Sequence, residues 1–220
     1  MNTANYYAHK VIWITGASSG IGAELAKQLA RKGAKLILSA RDQQKLEALA
    51  ETLENHLSHL VLPLDLGKNG HELTYVEQII AKYGRIDILI NNGGVSQRAS
   101  ALETSMEVNR QLMEVNFFGN IALAKAVLPI FRKQSSGQFL VVSSIAGKFG
   151  FHLRSIYSAS KAALVGYYES LAMEEESHGI KVTLAFPGKI NTPISKSELT
   201  AEGTAHGQMD SNQAGGMPVD

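Results

Sequence analysis

The sequence contains no cysteine. Disulfides, thiol nucleophiles and thiolate metal sites are excluded together, while the compartment is left open. A charge imbalance is missing too: 21 lysines and arginines stand against 20 aspartates and glutamates, for a formal net charge of +1 with no basic block. Such a surface offers no electrostatic footprint for nucleic acid or an anionic membrane. Residues 1–10 hold no apolar run, and no stretch elsewhere approaches the roughly 18 to 20 apolar residues of a membrane span. The expectation is a cytoplasmic protein. His56, His59, His152 and His178 lack the i, i+4 spacing and the carboxylate company of a zinc site. They are expected at the surface or in loops, and no metal is expected.

What is present is enough apolar material, 45% of 220 residues, for one domain with a sizeable core. Short β-rich apolar runs at residues 10–15, 35–40, 60–63, 86–91, 138–143 and 181–186 alternate with longer amphipathic ones, as βα units around a parallel sheet do. The first helix is expected at about 21–32, with Ile21, Leu25 and Leu29 as its sheet-facing stripe and Gly33 as its stop. Leu46, Leu49, Ala50, Leu53 and Leu57 make a similar stripe behind an Asp42 cap. The fold class is α/β, a Rossmann-type doubly wound parallel sheet in a single domain.

Two stretches carry chemistry. The first predicted strand runs into Thr15-Gly16-Ala17-Ser18-Ser19-Gly20-Ile21-Gly22 at a helix start. Free backbone N–H groups and the helix dipole favour an anion there, and glycines let the backbone approach a pyrophosphate. A glycine-rich turn without a ligand is the alternative. Further on, Ser143-Ser144 ends a strand ahead of Tyr157 and Lys161, which stand four apart on one helix face. A lysine so placed can lower a tyrosine pKa from its usual value of about 10 and make the phenol a proton donor and acceptor. Taken alone, such a pair is more often packing beside a solvated charge.

These motifs together resemble the short-chain dehydrogenase/reductase family over residues 10–192. The glycine turn is similar to the family's T-G-x-x-x-G-I-G. Asn91-Asn92-Gly93-Gly94 is similar to its N-N-A-G, with glycine for alanine. Asn116, Ser144, Tyr157 and Lys161 match its catalytic positions, and Pro187-Gly188 with Thr192 its P-G-x-x-x-T. Residues 92–98 and the tail around 207–210 look most like the dehydrogenase/reductase member 7 branch.

The resemblance implies a hydride transfer between a dinucleotide and a carbonyl or secondary alcohol. Tyr157 would act as proton donor, and Ser144, thirteen positions before it, would hold the carbonyl oxygen. Strand alternation puts Ser143 on the opposite face. Lys161 would also contact the nicotinamide ribose, and Asn116 would relay protons to it; otherwise Asn116 is a polar residue tolerated in a long helix over 113–131. Cofactor contacts are implied for Gly16, Ser18, Ser19, Gly20, Ile21, Gly22, Asp65, Asn92, Gly93, Tyr157, Lys161, Pro187, Gly188 and Thr192. Asp65 could equally be a turn acid.

At the end of the second strand Ala40 replaces the acid of an NAD binder and Arg41 follows, which favours NADP(H) over NAD(H). Arg41 otherwise begins a solvated helix. The stretch 149–154 and Phe186 are expected to line a mostly apolar substrate pocket, with Gln97 and Arg98 meeting its polar end or solvent. The alternatives are a 3-oxoacyl thioester reductase and a non-catalytic dinucleotide-binding regulator. Residues 1–192 are expected to hold cofactor and catalysis, and 193–220 a substrate-loop region that lacks the family's final helix and seventh strand, with 217–220 opening that helix and the sixth strand left as an uncovered edge. A homodimer or homotetramer is expected.

Overall fold

The apolar runs become strands, and those at the centre of the sheet find cover on both faces. In the computed structural model, which describes residues 6–192, 198–204 and 215–219, they are β1 (Val11–Thr15), β2 (Lys35–Ser39), β3 (Leu60–Val61), β4 (Ile88–Asn91), β5 (Gly137–Val142) and β6 (Ile180–Ala185). All pair in parallel, in the order β3-β2-β1-β4-β5-β6. Val11 and Trp13 pack into one helix layer, while Ile12 and Ile14 pack into the other. Trp13 is fully buried, and its indole N–H donates to Ser39 Oγ at 2.9 Å, whose hydroxyl donates in turn to Leu62 O at 2.6 Å. The doubly wound fold is as expected, and its crevice opens beyond the carboxyl ends of β1 and β4, where the strand order reverses.

The helices are α1 (Gly20–Arg31), α2 (Gln43–Thr52), α3 (Glu72–Tyr83), α4 (Met106–Met113), α5 (Gly119–Gln134) and α6 (Ser155–Glu175), with a π-turn (Glu114–Phe118) joining α4 to α5. Asp42 caps α2, its Oδ1 accepting from Lys45 N at 3.1 Å. Several details differ from expectation. The buried face of α1 is Gly22, Ala26, Leu29 and Ala30, because small residues let the helix sit close to the sheet. Leu25 packs partly buried against this core as expected, and with Ile21, Pro187, Ile190, Pro218 and Val219 it also lines a cavity of about 170 Å³. Leu57 is 86% exposed, since α2 ends at Thr52 and a short 3-10 turn follows. Residues 217–219 do not begin a helix; Met217 N donates to Lys189 O at 3.0 Å, and Asn191 N to Met217 O at 2.8 Å. Residues 207–210 lie outside the described residues. Among the described residues β6 is an edge strand.

The helical run Met106–Gln134, with a mean hydropathy of 1.2 over its most apolar window, is long and apolar enough by length and composition to cross a membrane, contrary to the reading of the sequence. It lies against the sheet here, with Leu112, Leu123, Val127 and Phe131 buried.

His59 lies in the loop before β3, one of the two places expected for it, but it is buried there. Its Nδ1 accepts from Leu36 N at 3.1 Å, so Nε2 carries the proton and donates to Glu54 O at 3.0 Å. Burial holds its pKa below the ordinary histidine value, with Lys82 and His56 adding to the effect and the Glu54 bond opposing it. The unfolded chain therefore binds the proton more readily, and stability is lost as pH falls from the ordinary value of about 6.5 toward the lowered one. His59→Ala is expected to destabilise by about 1–3 kcal/mol by stranding the Leu36 N–H and to remove this part of the acid sensitivity. Thermal melts between neutral and mildly acidic pH check both.

Candidate active site

The glycine turn is built by contacts that a larger residue would prevent. Gly16 and Gly20 have positive φ, at 66° and 53°. A Cβ on Gly22 would lie 2.2 Å from Gly16 O, so α1 reaches its position only because that side chain is missing. Thr15 staples the turn to the loop after β4, its hydroxyl accepting from Asn92 N at 3.0 Å and Gly93 N at 2.9 Å and donating to Ile90 O at 3.3 Å. Asn92 spends its amide on Thr15 O and Gly16 O, at 3.0 and 3.2 Å, so its side chain shapes the turn. The glycine at 93 has a local cause: a Cβ there would lie 2.6 Å from Leu66 Cδ1.

The turn opens into a cleft of about 980 Å³, at the upper end of the size range of small-molecule sites. Gly16, Ser18, Ser19, Gly20, Ile21, Arg41, Asp65, Asn92, Gly93 and Thr192 line it, as the sequence led one to expect. Gly22, Tyr157, Lys161, Pro187 and Gly188 do not: Gly22 is buried behind the turn, Lys161 lies buried behind Gly94, and Pro187 faces the smaller cavity. Asp65 makes a turn as well as lining the cleft, its Oδ1 accepting from Gly67 N at 3.0 Å. Lys45 is a wall residue that the sequence reading missed. Its ammonium is 2.9 Å from Asp42 Oδ2, and the Asp42 carboxyl is held below its usual value by the Lys45 side chain and backbone N–H. The Asp42 carboxylate is thus already satisfied by the cap and the lysine, while Arg41 stands beside it.

Asn116 lies in the π-turn, fully buried. Its amide is divided between Val95 N, Val95 O and Ser160 Oγ, at 2.8, 2.9 and 2.9 Å. The wide turn leaves carbonyls short of partners, and Asn120, another residue not anticipated, donates to Val115 O and Asn116 O at 3.1 and 2.9 Å. Gly119 makes the turn possible, since a Cβ there would stand 2.1 Å from Leu66 O. A Cβ on Gly94 would meet Asn116 Oδ1 at 3.0 Å and Lys161 Nζ at 3.4 Å, which places amide and ammonium together against the side of that glycine where a side chain would stand.

Beyond β5 the two serines separate. Ser143 is buried and donates to Lys161 O at 3.0 Å, tying the strand end to α6. Ser144 accepts from Ala146 N at 3.1 Å and stands near enough to the Tyr157 phenol to favour its ionised form. Lys161 Nζ donates to Val142 O at 3.0 Å, and burial brings its pKa down to about 8. The expected depression of Tyr157 by Lys161 does not occur. Burial dominates and pushes the phenol up, opposed by Ser144 and Arg154 and assisted by Glu198. A desolvated phenol resists ionisation.

The rim differs most from the sequence reading. Gln97 is fully buried, its amide donating to Ala99 O and Thr104 Oγ1, both at 2.8 Å, so it meets neither solvent nor a ligand. Phe149 is 69% exposed rather than lining a closed pocket, and Lys148 lies 4.2 Å over the Phe186 ring. Arg154, expected in an apolar wall, pairs with Glu198, which is 0% exposed. No local pattern announces a pairing across 44 positions. Among the described residues no His, Asp or Glu cluster could hold a metal.

Residues 10–203 match a family described as short chain dehydrogenase. A Drosophila melanogaster protein, dehydrogenase/reductase SDR family protein 7-like, is 41% identical over 98% of this chain and 68% of its own length. Dehydrogenase/reductase SDR family member 7B of Danio rerio is 39% identical over 96% of this chain and 71% of its own length. Among solved structures, a short chain dehydrogenase from Salmonella enterica superposes with a TM-score of 0.82 at 29% identity, covering 87% of this chain and 81% of its own. A Burkholderia phymatum relative in complex with NAD gives 0.82 at 26% identity, over 86% and 69%.

Proposed function

The chain belongs to the short-chain dehydrogenase/reductase family of oxidoreductases, and from that premise we propose an NADP(H)-dependent enzyme that interconverts a carbonyl and a secondary alcohol on a small, mainly apolar substrate. The observation that carries it is buried Lys161 set against Gly94 on the wall of the glycine-lined cleft, with Ser144 and the Tyr157 phenol close to one another at the end of β5 and the start of α6. A dinucleotide fits this cleft, because Gly16, Gly20 and Gly93 on its wall allow a close approach and the α1 N-terminus offers backbone N–H groups. Ser18, Ser19 and Gly20 would hold the pyrophosphate, Asp65 the adenine end and Thr192 the nicotinamide end.

When bound, the nicotinamide supplies or accepts the hydride. The chain supplies the proton: the Tyr157 hydroxyl donates to the carbonyl oxygen in reduction, and burial keeps that phenol protonated. The Ser144 hydroxyl donates to the same oxygen and stabilises its developing charge. Lys161 sets the electrostatics behind the tyrosine and meets the ribose hydroxyls. Asn116 holds Val95 and, through it, the loop that fronts the lysine. We assign cofactor and catalysis to residues 1–192 and substrate contacts to 193–220, in a homodimer or homotetramer whose contacts use the exposed apolar side chains Phe118 and Met173.

NADP(H) is favoured by the Arg41 and Lys45 corner. A 2′-phosphate meets Arg41 and Lys45 there, and the neighbouring Asp42 carboxylate is engaged as a helix cap and by Lys45. Arg41→Ala is expected to raise KM for NADPH by about 10-fold or more, the loss of one charge-assisted contact of about 1.5–3 kcal/mol, with KM for NADH little changed. Equal effects on both cofactors would remove Arg41 from phosphate recognition. The function itself is tested by following NADPH oxidation against a panel of ketones, quinones, steroids and 3-oxoacyl thioesters; absence of turnover with every member counts against it.

A further inference from the structure

We propose that Asn120 is a positioning residue for this site: with Asn91 and Tyr168 it builds a buried polar ladder beneath the cleft that fixes the π-turn and holds the Asn116 amide against Gly94 beside Lys161.

Three elements meet in the ladder. Asn91 ends β4 just before Gly93 and Gly94, Asn116 and Asn120 stand four apart where the π-turn joins α5, and Tyr168 lies two turns beyond Lys161 on α6. The Tyr168 hydroxyl accepts from Asn91 Nδ2 and donates to Asn120 O at 3.4 Å. Asn120 Nδ2 donates in turn to Asn116 O at 2.9 Å, to Val115 O at 3.1 Å and to Gly93 O at 3.4 Å. The Asn116 amide then engages Val95 N and Val95 O and reaches Ser160 Oγ, whose hydroxyl donates to Tyr157 O at 2.8 Å. A continuous path of bonds thus runs from the middle of α6 through the end of β4 and the π-turn to the backbone of Tyr157.

Packing alone does not account for these side chains. Asn91 and Asn120 are 1% exposed and Tyr168 is 0% exposed. Among the described residues the Oδ1 atoms of Asn91 and Asn120 find no partner. A leucine of similar size would fill either place without a stranded oxygen, so what these amides contribute is the aim of their N–H groups. The π-turn is where that aim is needed. Gly119 N donates to Glu114 O, five positions back, and the change of register leaves neighbouring carbonyls for a side chain to satisfy. Tyr168 is suited to join the two asparagines. Burial, assisted by Tyr167 and opposed by the Asn91 bond, pushes its phenol up, so the hydroxyl keeps the proton with which it donates. The ladder stands on geometry; its effect on turnover rests on the proton transfer proposed above.

The test uses Asn120→Leu, Asn120→Thr and Tyr168→Phe, the last of which removes one oxygen and carries the test should Asn120→Leu fail to fold. The reporter is hydrogen exchange at the Val95 amide, which donates to Asn116 Oδ1. The Leu36 amide, bonded to His59, is the control. Val95 exchange is expected to accelerate in Asn120→Leu and Tyr168→Phe against an unchanged Leu36. In NADPH-dependent reduction of a ketone, kcat should fall about 10²-fold in Asn120→Leu, the scale of a misplacement of about 1 Å. KM for NADPH should stay near the wild-type value, because Thr15 holds Asn92 and Gly93 independently of Asn120. Asn120→Thr should recover part of the loss, since a threonine hydroxyl in a helix donates to the carbonyl four residues back, here Asn116 O. A residue that merely stabilised the fold would lower the melting temperature without splitting kcat from KM and without answering to threonine. Unchanged Val95 exchange in Asn120→Leu or, where that variant fails to fold, in Tyr168→Phe overturns the ladder. Faster exchange with kcat unchanged, or a fall in kcat that threonine does not lessen, overturns the positioning role. If Tyr157→Phe retains turnover, the proton-donor reading fails, and Val95 exchange still decides the ladder.

Discussion

Tyr157→Phe is expected to lower turnover by about 10² to 10⁴, the usual contribution of a positioned general acid, while NADPH binding stays nearly intact. The ring is half-buried and the phenylalanine ring refills its space, so the change removes a hydroxyl and little packing. Direction matters as well. Burial raises the phenol above its ordinary value, so reduction, which needs the protonated form, should hold level through neutral pH and decline only under alkaline conditions. Oxidation needs the phenolate and should climb with pH over the same range. Single-turnover rates in both directions, with cofactor affinity measured separately, check this. A variant that turns over near the wild-type rate would place the proton donor elsewhere.

The sequence made the fold legible where one period dominated. Strands covered on both faces are continuous apolar runs, and β1, β2, β4, β5 and β6 fell within two residues of expectation. Failures came where contact with a distant element decided the outcome. The α1 stripe was read in part: Leu25 and Leu29 face the core, but Gly22 and Ala26, which bury by closeness rather than by size, were missed. His59 lies in its expected loop, but its burial comes with a ring that bonds an amide of β2. Motif residues in the turn and at 144, 157 and 161 came together because their spacings encode a strand end, a helix start and one helix face. Lys45, Asn120, Arg154 and Glu198 carried no such spacing. The sign of the Tyr157 shift was also beyond reach: proximity of Lys161 argued for a fall, whereas burial, which only the folded chain discloses, decides for a rise.

That same burial makes Lys161 an unstable element of the fold, and Lys161→Met is expected to stabilise the cofactor-free protein while abolishing turnover. Lys161 is 4% exposed, and burial alone brings its pKa from 10.5 down to about 8. At about 1.36 kcal/mol per pK unit, the protonated lysine then destabilises the native state by about 3 kcal/mol. For a cation with a lowered native pKa, the unfolded chain binds more protons between the two values, so stability rises with pH across that window. The penalty is complete below about pH 8 and vanishes above the unfolded value. Methionine fills a similar volume without a charge, though Val142 O loses its donor, which takes back about 1 kcal/mol. The net gain at pH 7 is about 2 kcal/mol, or about 4 to 8 °C in melting temperature for a chain of this size. Toward pH 10 the wild-type lysine is increasingly neutral, so the gap should close and, once the penalty falls below the lost bond, reverse. Melts of both proteins at the two pH values, without cofactor, decide it: a methionine variant that melts lower at pH 7, or a gap independent of pH, would show that this lysine is not held against its own charge. A variant that gains stability and loses turnover would mark Lys161 as a residue that the fold tolerates only for its chemistry.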